Sequence, residues 1–218
     1  MRGLYPIVDV DSLRELGAPP GAVIAFAERV LLARPAVLQL RAKHSGARDT
    51  LEMLRALRPL CSGAGVRLIA NDRPDLAVLG QCDGVHVGQD DLPLPLVRKL
   101  APGLLVGVST HNLDQLTAAL AERPDYVAFG PVFATASKDR PDPSVGLSLL
   151  ARAHAAAQSA GIPLVAIGGI TLERAAQVAQ HADLAAVIAA LQPNRGSLEG
   201  VSEAAQALQV ALGVSAAA

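Results

Sequence analysis

The chain has 218 residues and a formal net charge of −1, with 19 Lys and Arg against 20 Asp and Glu. This balance, with no basic run and no interleaving of basic and aromatic residues, argues against a nucleic-acid-binding protein. No apolar run approaches the ~20 residues that a membrane-spanning helix requires, so we expect no membrane association.

A single domain with an aliphatic core is expected from the length and the composition. Hydrophobic types make up 51% of the chain but aromatic residues only 2%, so Ala, Val, Leu and Ile must fill the core. No linker divides the sequence, and residues 1–218 are predicted to form one domain with a frayed tail at residues 214–218. No signal peptide precedes the first predicted strand, and Cys61 and Cys82 lack metal-ligand spacing, so we expect a cytoplasmic protein with reduced thiols.

Eight short apolar runs, spread from one end of the chain to the other, are predicted to be β-strands. They are nearly continuous rather than alternating, which is typical of parallel strands in a sheet that helices cover. The predicted strands are Leu4–Val8, Ala36–Leu40, Val66–Ala70, Gly84–Val87, Leu104–Val108, Tyr126–Phe129, Pro163–Ile167 and Leu184–Ile188.

Longer segments rich in Ala and Leu lie between these strands and carry apolar residues at helical spacing. Each such stripe predicts an amphipathic helix whose apolar face packs on the sheet. The stripes run from Val23 to Leu31, Leu51 to Leu57, Leu113 to Leu120, Leu149 to Ala157, Leu172 to Ala179 and Val201 to Leu212.

The alternation of strands and helices predicts an α/β protein, a (β/α)8 TIM barrel. A doubly wound open sheet is the competing fold. Its nucleotide-binding signature, G-x-G-x-x-G, is missing after the first strand, where Val8-Asp9-Val10-Asp11 stands. In a barrel the active site is built at the carboxyl ends of the strands, and unusual polar residues do collect just after the apolar runs.

The end of the second strand carries Gln39, Arg41 and Lys43, which alternate with Leu40 and Ala42 and so point to one side. A buried Arg requires a negative partner. That partner is either a phosphate, which Arg binds by its bidentate fork and Lys as a point charge, or an Asp in a pair that only seals the barrel.

Asp72 and Asp91 end the third and fourth strands, which are neighbours in the predicted barrel. Two carboxylates at adjacent strand ends require a cation, and oxygen ligands beside phosphates suit Mg²⁺. The alternative is that both are helix N-caps, because Arg73-Pro74 follows the first and Leu92-Pro93 the second.

Hydroxyl groups and one lysine follow the fifth and sixth strands. Ser109 opens the fifth loop and can donate to a phosphate, although Ser is also a common N-cap. The loop at residues 131–146 contains Thr135, Ser137 and Lys138. Loops of this length in compact barrels are usually functional, and Lys138 could reach over a bound diphosphate.

Gly168 and Gly169 follow the seventh strand and precede a predicted helix near Thr171. Without side chains in the way, their backbone N–H groups can approach a phosphate, which also meets the positive end of the helix dipole. Barrels often bind a phosphate at the loops after the seventh and eighth strands. The alternative is a glycine turn that backbone geometry alone demands.

The sequence implies neither a Ser–His–Asp nor a Cys–His arrangement. His86 lies within the fourth strand, where a hydrogen-bonded structural histidine is expected, and His111 lies near the barrel mouth as a minor contact. The cations, the carboxylate pair and the hydroxyl groups are suited to stabilising a departing anion.

Seven motifs, in chain order, carry a resemblance to a known family. They are Leu4–Asp9, Gln39–Lys43, Asn71–Arg73, Asp83–Asp91, Gly107–His111, Gly130–Lys138 and Ile167–Ile170. With them the chain resembles the thiamine-phosphate synthase (thiamine-phosphate pyrophosphorylase) family nearly from end to end.

The resemblance implies a transferase of thiamine biosynthesis that moves an alkyl or aryl group other than methyl. It would condense 4-amino-2-methyl-5-hydroxymethylpyrimidine diphosphate with 4-methyl-5-(2-phosphoethyl)thiazole, giving thiamine phosphate and pyrophosphate. In this family pyrophosphate leaves first, and the thiazole nitrogen captures the resulting pyrimidine-methyl cation. The partners would be small-molecule substrates, and the oligomeric state stays open, a homo-oligomer included.

Roles for individual residues also come from the resemblance. Gln39 would contact the aminopyrimidine, and the catalytic residues would be Arg41, Lys43 and Lys138. The diphosphate would be held by Arg41, Lys43, Asn71, Ser109 and Lys138.

The resemblance also implies which residues would bind the metal and the second substrate. Asp72 and Asp91 would carry Mg²⁺. The thiazole phosphate would be bound by Thr135, Ser137 and the backbone of Gly168 and Gly169.

The chain departs from the family pattern at three positions. Val8 stands where Thr is common, Ser137 replaces a usual Thr, and Ala189 stands where many members have Ser. Backbone N–H groups are expected to bind most of the phosphate beside Ala189.

Two alternative functions remain at the level of sequence. The TenI-like thiazole tautomerases share the fold and the phosphate site, but they tend to lose the diphosphate and metal residues that this chain keeps. A non-catalytic barrel that binds a phosphorylated metabolite is the other alternative. The joint presence of a carboxylate pair and a loop lysine favours the synthase over both.

Overall fold

The eight apolar runs form eight parallel β-strands, each within two residues of its predicted bounds. A computed structural model of the chain describes residues 1–17, 21–135, 143–193 and 197–214. The strands are β1 (Gly3–Asp9), β2 (Val37–Arg41), β3 (Arg67–Asn71), β4 (Gly84–Val87), β5 (Leu105–Thr110), β6 (Tyr126–Phe129), β7 (Leu164–Ile167) and β8 (Leu184–Val187).

The strands pair in chain order and close into a barrel. The last strand returns to the first, with Leu4 opposite Ala185 and Tyr5 opposite Ala186. Every pair is parallel, so all eight carboxyl ends lie at one mouth of the barrel. The predicted (β/α)8 TIM barrel is confirmed.

Helices follow the strands and cover the outside of the barrel. Every helix predicted from an apolar stripe is present. The helices are α1 (Val10–Glu15), α2 (Ala22–Leu31), α3 (Ala47–Ala64), α4 (Pro74–Leu79), α5 (Leu94–Leu100), α6 (Leu113–Ala121), α7 (Gly146–Ala160), α8 (Leu172–Val178) and α9 (Val201–Ala211), with a short 3-10 helix at Ala189–Leu191.

Three helices of the structure, α1, α4 and α5, were not predicted from the sequence. They have only 6, 6 and 7 residues. Fewer than two full turns present too few repeats for an apolar stripe to stand out from its surroundings.

The longer helices bury the stripes from which they were predicted. Phe26, Ala27 and Val30 of α2 are at most 3% exposed, and Leu54 and Leu57 of α3 are fully buried. These side chains pack with outward-facing strand residues in one continuous, mainly aliphatic core. Burial of this apolar surface is the main force that holds helices and strands together.

The inside of the barrel forms a second, smaller core. Tyr5 and Tyr126, the two tyrosines of the chain, lie in it at 2% and 1% exposure, with ring centroids 5.9 Å apart. Small neighbours such as Ala128 and Ala186 share this layer and leave room for the rings. The outer core is thus mainly aliphatic, with Phe26 and Phe129 in it, whereas the two tyrosine rings fill part of the interior.

The beginning of the predicted tail is held in place. Val214 donates its backbone N–H to the carbonyl of Gln209 over 3.3 Å, and residues 215–218 lie outside the described residues. Within the described residues, no helix combines the length and the apolar character needed to cross a bilayer.

Candidate active site

A cavity of about 640 Å³ opens at the barrel mouth where the strands end. Its size is in the range of small-molecule sites. Two predicted site residues, Ser137 and Lys138, lie outside the described residues. All the other predicted site residues line the cavity: Gln39, Arg41, Lys43, Asn71, Asp72, Asp91, Ser109, Thr135, Gly168 and Gly169.

Arg41 lines the cavity and is also paired with a buried carboxylate. Asp9, at 4% exposure, ends β1 directly opposite Arg41 in the strand register, and its Oδ2 pairs with Arg41 Nη1. Asp9 Oδ1 accepts from Ser12 N–H over 3.0 Å, which begins α1. The structure therefore contains the Arg–Asp pair of the second alternative, and Arg41 of that pair also lines the cavity.

Asp9 had no predicted role, although it pairs with a residue of the cavity wall. The sequence does contain a signal for this pairing: Asp9 ends the first strand, and Arg41 ends the adjacent second strand. A buried Arg needs an anion, and the facing residue of the adjacent strand is the first position to search for one.

Gln39 and Asn71 form an amide pair on the cavity wall. Gln39 Nε2 donates to Asn71 Oδ1 over 2.8 Å, and Gln39 is only 2% exposed. Each residue comes near the end of its strand, β2 for one and β3 for the other. This bond uses a donor of Gln39 and an acceptor of Asn71, so the Gln39 carbonyl oxygen and the Asn71 NH2 group do not take part in it.

Asp72 occupies an unusual backbone position beside a lysine. Its φ is +61°, its N–H donates to the carbonyl of His86 over 2.8 Å, and its Oδ2 lies 3.3 Å from Lys43 Nζ. Left-handed backbone in a residue other than Gly is uncommon and clusters at functional sites. Burial, followed by the nearby carboxyl of Asp91, raises the pKa of Asp72, and Lys43 opposes the shift.

The alternative that Asp72 and Asp91 are helix N-caps is wrong. The N-cap of α4 is Arg73 and that of α5 is Pro93. Asp91 Oδ2 instead accepts from Gly88 N–H over 2.7 Å and thereby closes the turn after β4. Two carboxyl groups are therefore close together at the cavity mouth without a capping role.

Ser109 lies on β5 at the cavity wall. Its Oγ is 2.8 Å from His86 Nε2, and its carbonyl accepts from Gln89 Nε2 over 2.6 Å. His86 is hydrogen-bonded, as a structural histidine should be. The neighbouring His111 also lines the cavity, with Nδ1 2.7 Å from the carbonyl of Gly130.

The Gly168-Gly169 turn presents backbone to the cavity. The Gly168 carbonyl accepts from Phe133 N–H over 3.1 Å, and the Gly169 carbonyl accepts from Arg174 Nη1 over 2.7 Å. In a trans peptide the N–H points opposite to the carbonyl. The N–H groups of Gly169 and Ile170 therefore point away from Phe133 and Arg174. The turn suits an anion because of these N–H groups. The helix dipole contributes less, because α8 has only seven residues.

Replacing Gly168 with alanine should destabilise the protein and impair this turn. At φ +100° a Cβ would lie 2.4 Å from Pro131 Cβ, so strain and overlap act together. Each effect costs about 1–3 kcal/mol, and we expect a loss of roughly 2–4 kcal/mol in the free energy of unfolding. Urea titration followed by circular dichroism measures it. Gly46→Ala, with nothing within 4 Å of its Cβ and an ordinary φ, is the matched control.

Comparisons with known proteins show the family to which the chain belongs. The family model described as Thiamine monophosphate synthase matches residues 4–191. The thiamine-phosphate synthase of Chloroflexus aurantiacus is 42% identical over 189 residues, covering 86% of this chain and 84% of that protein. That of Methanocella arvoryzae is 39% identical over 208 residues, covering 94% and 92%.

A solved structure extends the likeness to three dimensions. The thiamine phosphate pyrophosphorylase from Pyrococcus furiosus superposes with a TM-score of 0.82 at 30% identity, covering 97% of this chain and 95% of that one. The match spans nearly the whole barrel, including the strand ends that line the cavity. The chain belongs to the thiamine monophosphate synthase family.

Proposed function

We propose that this chain condenses 4-amino-2-methyl-5-hydroxymethylpyrimidine diphosphate with 4-methyl-5-(2-phosphoethyl)thiazole, giving thiamine phosphate and pyrophosphate. Membership of the family supports the proposal. The observation that carries it is the gathering of two cations, two carboxylates and a glycine turn around one cavity of about 640 Å³. These are the groups needed to hold a diphosphate and a second phosphate side by side.

The two substrates would divide the cavity between them. The amide pair of Gln39 and Asn71 offers an acceptor for the amino group of the pyrimidine and a donor for the diphosphate. Arg41 and Lys43 lie beside this pair and would bind diphosphate oxygens.

The thiazole phosphate would lie across the cavity, where Thr135 and the backbone of Gly168 and Gly169 line the wall. Ala189, at the start of the 3-10 helix, also lines it and brings only a methyl group. Backbone N–H groups would therefore supply most of the phosphate contacts.

The residues present fit a magnesium ion. Asp72 and Asp91 provide hard oxygen ligands near each other, and Mg²⁺ commonly takes one or two carboxylates together with waters and substrate phosphates. Asp72 and Asp91 would hold the ion. When bound, Mg²⁺ supplies positive charge that stabilises a diphosphate as it leaves.

The reaction requires charge stabilisation more than proton transfer. The bond between the pyrimidine methylene carbon and the diphosphate oxygen breaks, and its electron pair leaves with pyrophosphate. The lone pair of the thiazole nitrogen then forms the new carbon–nitrogen bond. Arg41 is held by Asp9 before substrate arrives, so it can stabilise the leaving anion with little reorganisation.

Incubating the purified protein with both substrates and Mg²⁺ should yield thiamine phosphate and pyrophosphate in equal amounts. Chromatography of the reaction mixture measures both products. Controls omit one substrate at a time or add a chelator in excess of the metal. Product no greater than that formed with heat-denatured protein would refute the proposal.

The same experiment tests the alternative function, thiazole tautomerase activity. A tautomerase isomerises its thiazole substrate with no pyrimidine diphosphate present, so the arm with thiazole alone distinguishes the two activities. The retention of Arg41, Lys43, Asp72 and Asp91 around one cavity favours the synthase, because isomerisation of a thiazole has no use for a diphosphate site.

A further inference from the structure

A chain of hydrogen bonds crosses the interior of the barrel and ends at the cavity. The hydroxyl oxygens of Tyr5 and Tyr126 are 2.8 Å apart, and Tyr126 Oη is 3.2 Å from His86 Nδ1. The other ring nitrogen, His86 Nε2, is 2.8 Å from Ser109 Oγ. Four side chains from β1, β6, β4 and β5 are thus connected, and the last two, His86 and Ser109, line the cavity.

The backbone makes specific room for this chain at Gly107. In the strand register Gly107 lies between His86 on one side and Tyr126 on the other. A Cβ at Gly107 would lie 2.0 Å from Tyr126 Cζ and 2.4 Å from its Oη. The absent side chain lets the ring of Tyr126 cross β5 and stack on His86, with centroids 5.5 Å apart and planes at 20°.

The direction of the hydrogen bonds follows from the two buried phenol protons, each of which needs an acceptor. Burial raises the pKa of both phenols above the ordinary value, so both keep their protons. Among the described residues, Tyr126 is the hydrogen-bond partner of the Tyr5 hydroxyl. A buried hydroxyl proton left without an acceptor is costly, so Tyr5 donates to Tyr126.

The remaining bonds are then fixed in turn. Tyr126 has accepted from Tyr5 and donates its own proton to His86 Nδ1. A neutral imidazole has one N–H and one lone pair, so the proton of His86 lies on Nε2 and is donated to Ser109 Oγ. The hydroxyl proton of Ser109 is left to point elsewhere, and Ser109 lines the cavity.

We propose that Tyr126 and His86 are positioning residues that make the Ser109 hydroxyl a hydrogen-bond donor toward the departing diphosphate. The kinetic part of this inference rests on the proposed function, whereas the tautomer of His86 does not. If the hydrogen bonds ran in the opposite direction, Ser109 would donate its proton to His86. Its oxygen would then have only lone pairs to face the diphosphate, which is unfavourable beside an anion. The directed chain instead prepares a donor for the charge that develops as the carbon–oxygen bond breaks.

The tautomer can be measured in the resting protein. Long-range proton–nitrogen correlation spectra of the ¹⁵N-labelled protein distinguish the two neutral forms of each of its five histidines. The His86→Gln spectrum assigns the His86 signals by their loss. We expect the proton on Nε2 and none on Nδ1. A proton on Nδ1, alone or together with Nε2, would overturn the inference.

Two matched variants test the order of the chain. Tyr126→Phe removes the donor to Nδ1 and should convert His86 to a mixture of tautomers. Tyr5→Phe removes the same atom from an equally buried ring, but Tyr126 keeps its proton and its bond to His86 Nδ1, so the Nε2–H form should persist. Loss of this form in Tyr5→Phe, or its full retention in Tyr126→Phe, would contradict the directed chain.

The kinetic test asks whether Tyr126 acts through Ser109. Tyr126→Phe should lower kcat about tenfold and leave the KM for the thiazole phosphate unchanged, because misdirecting one donor affects the leaving group. In a Ser109→Ala background the same substitution should change kcat by less than about twofold. A tenfold effect in both backgrounds would refute positioning through Ser109. If no thiamine phosphate forms at all, the proposed function fails, and the tautomer is still decided by the spectra.

Discussion

Asp91→Asn should remove most of the Mg²⁺-dependent turnover while the barrel stays folded. Asparagine retains an oxygen that can accept from Gly88 N–H, the bond of 2.7 Å that Asp91 makes in the turn after β4. It lacks the negative charge that a hard divalent cation requires. We expect kcat/KM to fall about 100-fold at saturating Mg²⁺, which corresponds to ~2.7 kcal/mol.

Initial rates measured over a range of Mg²⁺ concentrations test this prediction. Asp75→Asn is the matched control, because Asp75 is an exposed carboxylate whose Oδ2 lies 2.6 Å from Arg73 Nη2, away from the cavity lining. Its rate should stay within about twofold of the parent. If Asp91→Asn keeps the parent's metal dependence, Asp91 serves only to hold Gly88 and the metal assignment is wrong.

Much of the barrel could be predicted from the sequence because its constraints are local. A parallel strand covered by helices must be apolar along its length, so Tyr126–Phe129 and Leu164–Ile167 stand out from the polar turns around them. The amphipathic stripe of α2 is equally visible. The helices α1, α4 and α5 escape such a reading, because six or seven residues contain too little periodicity.

The position of the site could also be predicted, since strand ends of a barrel meet at one mouth. The contacts within it could not. Asp72 takes a left-handed backbone, donates its N–H to the carbonyl of His86 on β4 and lies beside Lys43 and Asp91, and these contacts are between segments that are distant in sequence. The sequence therefore left capping and metal binding open for both carboxylates, and the observed caps, Arg73 and Pro93, exclude the first.

Side-chain contacts between residues that are distant in sequence are the hardest to predict. Tyr5 and Tyr126 are 121 positions apart and read as ordinary core residues. Gly107 reads as a glycine in an apolar run, whereas its role is to let the ring of Tyr126 pass. Asp9 and Arg41 are 32 positions apart, and their pairing depends on the register between β1 and β2. Tyr5 and Tyr126 meet only in the closed barrel, because β1 and β6 are not neighbours in the sheet.

Arg41→Gln should reduce both stability and activity, for two separate reasons. It leaves the carboxylate of Asp9, at 3% side-chain exposure, without its cation. Breaking a buried pair on one side costs about 3–5 kcal/mol, and the 19% exposure of Arg41 places the expected loss near the lower end. A loss of ~3 kcal/mol lowers the Tm of a chain of this size by about 6–12 °C. Loss of the cation at the proposed diphosphate site should lower kcat/KM about 100-fold.

A double variant, Asp9→Asn with Arg41→Gln, separates the two effects. Neutral amides can bond to each other in place of the ion pair, and the asparagine oxygen can still accept from Ser12 N–H at the start of α1. Thermal unfolding should therefore return to within a few degrees of the parent, because no buried charge is left unpaired. The rate should stay as low as in Arg41→Gln, since neither variant has a cation at this position. Recovery of the rate together with the stability would show that Arg41 only supports the fold and that the diphosphate is bound elsewhere.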